Sequence, residues 1–139
     1  MSKRHAVRWS TLRFAELALS RMTLMGFVHL RAHTEYSVVD GTLRIDGAVA
    51  AAVADRQGAL AITDIGNLFG AVKFYSAARA AGVKPVIGTE VVMEAEAGEK
   101  ATSRLVLLVQ NRRGYLNLCE LLSRCWLENA GSGQAQLRW

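Results

Sequence analysis

His29, Arg31 and His33 stand two residues apart within the apolar stretch Phe27-Val28-His29-Leu30-Arg31-Ala32-His33. If that stretch is a strand, the three polar side chains share one face and Leu30 and Ala32 take the other. Three titratable or cationic groups on one face of an apolar strand are costly unless they line a cleft. Asp40 follows in a loop with turn chemistry at Asp40-Gly41. Asp64 ends a second apolar run, Ala59–Thr63, and Glu90 lies two residues after Gly88 in a third. Each strand end thus offers a group of metal-ligand type, and imidazole with carboxylate suits zinc, manganese or iron. A structural role is equally open at this point. Asp64 ahead of Gly66-Asn67 can cap a turn, and a histidine at a strand end can be hydrogen-bonded instead of metal-bound.

Such residues need elements to hold them. Ile45–Arg56 is alanine-rich, with Ile45, Val49 and Val53 on one helical stripe and Gly58 as the stop. Ala59–Thr63 is a short buried strand. Gly70–Ala81 forms a second helix with Val72, Tyr75 and Ala78 as its core face, closed by Gly82. Val83–Val92 is a strand entered through Pro85 and broken at Gly88, and Glu94–Lys100 is an acidic turn. Leu105–Val109 is a strongly apolar strand. Asn111–Leu127 is a helix whose Tyr115, Leu118, Leu122 and Cys125 recur at helical spacing. The order β-α-β-α-β-β-α predicts an α/β fold of parallel strands covered by helices, with working residues where strands end.

Composition bounds the rest. A chain of 139 residues, 51% apolar and 21% charged, allows one domain or part of one and excludes a disordered chain. Its apolar runs are too short to span a bilayer, so a membrane role is not expected. The net charge of +5 is uneven: residues 1–25 carry +4, residues 26–110 carry −1 and residues 111–139 carry +2. The basic balance therefore belongs to the ends and does not mark a nucleic-acid surface. Residues 1–25 are Arg-rich and acid-poor, as in a transit peptide or an upstream segment outside the fold, and Met25 is an alternative start. The expected layout is a basic extension at 1–25, a folded part at 26–128 and a loop at 129–139. Cys119 and Cys125 lack metal-ligand spacing and read as free, buried thiols in a reducing compartment.

Four strings then carry a resemblance. His29-Leu-Arg-Ala-His33-Thr-Glu-Tyr-Ser37-Val-Val-Asp40-Gly41 resembles the first motif of the polymerase and histidinol phosphatase (PHP) superfamily. It is most similar to the branch at the N-terminus of the alpha subunit of bacterial DNA polymerase III. Ala61-Ile-Thr-Asp64-Ile-Gly-Asn67-Leu-Phe-Gly70-Ala-Val-Lys-Phe74-Tyr75 looks like that branch's second motif. Lys84-Pro85-Val-Ile-Gly88-Thr-Glu90 is similar to its third strand. Asn111-Arg-Arg-Gly114-Tyr115-Leu-Asn117-Leu118 resembles the helix that follows.

The resemblance implies the first βα units of a distorted (β/α)7 barrel and a metal cluster of zinc or manganese. Carried onto this chain, the ligands are His33, Asp40 and Glu90. Two family histidines are replaced, by Arg31 and by Ile65. Arginine stays protonated and isoleucine has no donor atom. A guanidinium also repels a divalent cation by several kcal/mol at ~4 Å in an effective dielectric near 20. The expectation is therefore a vestigial site held by an Arg-centred polar network that pairs Asp40 or Glu90, with His29, Asp64 and Asn67 lining the cleft.

Within the branch, a degenerate site implies a scaffold that docks the separate proofreading exonuclease subunit and other holoenzyme subunits. The parent would be a cytoplasmic DNA-directed DNA polymerase, using magnesium and binding DNA, of which this chain alone is expected to be an inactive, truncated piece. The alternatives are a metal-dependent phosphoesterase or 3'-5' exonuclease of the same superfamily, and an unrelated α/β binding module. An apolar strand such as Leu105–Val109, left without a neighbour, is expected to make the chain marginally stable or poorly soluble.

Overall fold

The computed structural model describes residues 26–38, 40–93, 103–128 and 136–137. The expected basic extension, the acidic turn and most of the final loop lie outside these residues. The described elements run α1 (Ile45–Ala54), β1 (Ala59–Ile62), α2 (Ala71–Ala80), β2 (Lys84–Met93), β3 (Ser103–Leu108), α3 (Arg112–Glu128) and β4 (Gln136–Leu137).

β2 organises the sheet. Its first half pairs in parallel with β1, from Ala59–Lys84 to Ile62–Ile87. Its second half pairs antiparallel with β3, from Gly88–Leu108 to Met93–Ser103, and its end pairs in parallel with β4. The sheet is therefore mixed, which corrects the expectation of parallel strands throughout. Nine residues separate Met93 from Ser103, and a parallel crossover needs a dozen or more. A chain that short can only turn back.

Gly88 does not break β2, contrary to expectation. It pairs with Leu108 inside the ladder, where a Cβ would lie 2.6 Å from the Leu107 carbonyl oxygen and 2.7 Å from Leu108 Cδ2. The glycine marks close approach of a neighbouring backbone.

Helices cover one face of the sheet. Ile45, Ala48, Val49 and Ala52 of α1 and Phe74 and Ala78 of α2 pack on Leu60 and Ile62 of β1. Leu118 and Leu122 of α3 pack on Val91 and Met93 of β2, joined by Leu107 of β3. Strand alternation then puts Glu90 and Val92 on the opposite face. Two helical stripes differ from expectation. Val53 is exposed because spacing of four drifts about 40° per step from the axis of the face, whereas 45, 48, 49 and 52 stay centred on it. In α2, Ala71, Phe74 and Ala78 are buried, and Val72 and Tyr75 face outward. Apolar residues on both sides of that helix made its period ambiguous. Gly58 is not the stop of α1; Arg56 takes the positive φ of 56° and Gln57 N–H bonds the Ala52 carbonyl. Cys125 is buried and Cys119 half-buried, and neither is in a disulfide.

Candidate functional site

Residues 27–33 form an extended segment beside β1, not the regular strand expected. Ala61 N–H bonds His29 O and Thr63 N–H bonds Ala32 O, both at 2.8 Å. Two steps from Ala61 to Thr63 thus match three steps from His29 to Ala32. One extra residue breaks the period of two, as a bulge does. His29 consequently leaves the group it was expected to join. Its exposed ring meets Phe27 edge-on, and its backbone N–H approaches Gln57 Oε1 at 3.4 Å. Arg31 and His33, beyond the irregularity, stay together.

They meet at Glu90, whose side chain is 0% exposed. Arg31 donates from Nε to Oε2 at 2.6 Å and from Nη2 to Oε1 at 3.1 Å, a bidentate pair. His33 Nε2 stands 3.1 Å from Oε2, and its Nδ1 stands 3.1 Å from Asp40 Oδ1. Arg104 of β3 donates from Nη1 to Glu90 Oε1 at 3.1 Å and stands 3.8 Å from Asp40 Oδ2. Arg31, Ala32, His33 and Asp40 line an open polar cleft of about 270 Å³ over this cluster. The Arg31 guanidinium holds the Glu90 carboxyl down at about 2 against its ordinary 4.5, helped by His33 and Arg104, although burial pushes the other way.

Asp64 is placed differently. It is buried and accepts from Thr34 N–H at 2.6 Å, the Thr34 hydroxyl at 2.7 Å and the Ser37 hydroxyl at 2.8 Å. It does not line the cleft; it anchors the loop that carries Asp40. Gly41 closes that loop where any Cβ would overlap the Thr34 carbonyl oxygen. Asn67 is likewise a latch, donating to Tyr36 O and Ile65 O and accepting from Phe69 N–H. Ile65 bridges in parallel to Glu90, so residue 65 sits beside that carboxylate in the sheet. Trp126 Nε1 donates to Gly66 O at 2.8 Å and ties α3 to the same turn.

Arg104 was not singled out in the sequence. A charged residue ahead of an apolar strand is common, and nothing local says that β3 turns back. In the antiparallel register it opposes Val92, so it shares the face of Glu90.

The donor set does not fit a bound metal. Both oxygens of Glu90 accept from guanidinium groups, and both ring nitrogens of His33 are turned to carboxylates. Among the described residues, no group of three or more His, Cys, Asp or Glu is arranged to hold an ion. No helix among them is long and apolar enough to cross a membrane.

A mixed sheet with helices on one face and a polar cluster centred on Glu90 of β2 on the other defines an α/β protein. Residues 29–139 match the PHP domain family, and the chain belongs to it. It is 42% identical over 110 residues to DNA polymerase III subunit alpha of Pseudomonas aeruginosa, covering 79% of this chain and 9% of that one. With the same subunit of Escherichia coli K12 it shares 40% identity over 106 residues, covering 76% of this chain and 9% of the relative. The chain thus spans about a tenth of the length of these relatives. Among solved structures, an amidohydrolase from Chromobacterium violaceum is similar in fold. Its TM-score is 0.51 at 24% identity, with 75% of this chain and 39% of that one covered.

Proposed function

We propose that this chain is the N-terminal PHP module of a replicative DNA polymerase III alpha subunit, part of a βα barrel, and that it works as a scaffold and not as a hydrolase. The observation that carries the reading is the bidentate grip of Arg31 on buried Glu90. Arg31 takes a lone pair on each Glu90 oxygen, Arg104 takes a second on Oε1 and His33 Nε2 faces Oε2, so the carboxylate is already surrounded where a metal would bind, and Ile65 supplies no donor next to it. Both replaced positions flank Glu90 in the vestigial site formed by His33, Asp40 and Glu90. In this reading the domain docks the proofreading exonuclease subunit and other holoenzyme subunits in the cytoplasm. Nucleotidyl transfer with magnesium and contact with DNA belong to other parts of the parent. The relatives support this, since the alpha subunits matched are 40–42% identical over most of this chain.

The test has two arms. The purified chain should show no manganese- or zinc-dependent hydrolysis of a phosphodiester reporter. Hydrolysis abolished by His33→Ala would establish the phosphoesterase reading instead. The full-length parent should bind its proofreading exonuclease subunit in solution, and deletion of this module should weaken that binding at least tenfold. Unchanged binding removes the docking role.

A further inference from the structure

We infer that Arg31 and Arg104 together are a built-in substitute for a divalent cation, with Arg104 as the second positioning residue of the cleft. The inference rests on the metal-free reading above and supplies its other half. Two guanidinium groups bring two positive charges to the two carboxylates Asp40 and Glu90. Both arginines reach the same oxygen, Glu90 Oε1, each at 3.1 Å. Arg31 also takes Oε2, and Arg104 extends toward Asp40 Oδ2 at 3.8 Å. Glu90 of β2 and Asp40 are the carboxylates that an ion here would have to neutralise. Here the charge arrives on side chains from the 27–33 segment and from β3.

The exposure pattern fits this division of labour. Glu90 is 0% exposed, while the side chains of Arg31 and Arg104 are 59% and 49% exposed. Only the carboxylate is fully desolvated; each guanidinium keeps part of its hydration while donating inward. A buried carboxylate that loses a donor is left undercompensated, which is far costlier than loss of a surface pair. Arg31 alone leaves Oε1 with one donor and Asp40 with His33 as its partner. Arg104 completes both. Unlike an ion, this pair cannot be stripped by a chelator.

Thermal unfolding of the 139-residue chain, with calorimetric titration of manganese or zinc alone, tests the pair. Wild type, Arg31→Gln, Arg104→Gln, the double variant, and each of these with Glu90→Gln are compared. The wild-type Tm should differ by less than about 1 °C between chelator and millimolar manganese. Arg104→Gln should lower Tm by about 5 °C, and Glu90→Gln should remove most of that loss. The double variant should gain a saturable rise in Tm with manganese that wild type lacks. A wild-type Tm for Arg104→Gln, a loss that Glu90→Gln does not relieve, or no manganese rescue overturns the pair and leaves the metal-free reading standing. Stoichiometric metal uptake by wild type overturns that reading itself. If the double variant does not fold, its Glu90→Gln version decides. Cooperative unfolding supports the pair, and continued failure to fold overturns it.

Discussion

Glu90 concentrates the electrostatics of the molecule in one side chain. Its carboxyl is held at about 2 against an ordinary 4.5, mainly by Arg31. A depressed folded-state value means the ionised form is favoured by folding. That stabilisation is complete above the unfolded value and is lost as pH falls through about 2. The difference is on the order of 3 kcal/mol. Urea titrations should show stability falling between about pH 5 and pH 2, and Glu90→Gln should flatten that limb. An identical limb in the variant would assign the loss to other carboxylates. Asp64 carries a different load, since its three donors are all within the buried loop anchor. Asp64→Ala leaves Thr34 N–H and two hydroxyls without their acceptor and should cost about 3 kcal/mol, read as a lower urea midpoint. A change within a few tenths of a kcal/mol would show that the loop does not depend on it.

The antiparallel pairing of β3 with β2 brings Arg104 to the cleft, and at the Gly88 end of that ladder β3 lies where a side chain at residue 88 would stand. A Cβ there meets Leu107 O at 2.6 Å and Leu108 Cδ2 at 2.7 Å. Gly88→Ala should therefore push β3 away and cost about 2 kcal/mol by overpacking. Hydrogen exchange should report it as faster exchange of the β3 amides, with β1 protected as before. Equal protection in β3 would mean the strand absorbs the methyl. The helices were more readily legible than the strands. Ile45 and Val49 of α1 and Leu118, Leu122 and Cys125 of α3 are buried as their spacing predicts, while Val53 and Tyr115 at the ends of those stripes are exposed; a helix makes its hydrogen bonds within itself, so most of its buried face follows from the period. Strand partners and directions do not: whether β3 lies parallel or antiparallel is set by the length of the connection and the far ladder, not by Leu105-Val106-Leu107-Leu108 itself.

Across the whole molecule, apolar packing lies on the helix-covered face and the ion cluster on the other. Among the described residues β3 pairs only with β2, and Leu105 and Leu108 are partly exposed. A free apolar edge is a template for another chain. The wild-type chain should self-associate on concentration, seen by light scattering, and Leu105→Lys should raise the onset several-fold. Monomeric, cooperative unfolding of the wild type at high concentration contradicts this.

Residue types and spacing by themselves offered His29, Arg31, His33, Asp40, Asp64 and Glu90 as polar candidates, and it was the resemblance to the PHP family that narrowed them to His33, Asp40 and Glu90 and marked residues 31 and 65 as replaced histidines. Once those positions are marked, residue type carries the rest, because a guanidinium is always charged and an isoleucine never ligates. The removal of His29 by one extra residue, the use of Asp64 as a loop anchor and the arrival of Arg104 from β3 arose only on folding. Each depends on how segments far apart in the chain align, and a one-residue slip between strands turns every side chain to the other face.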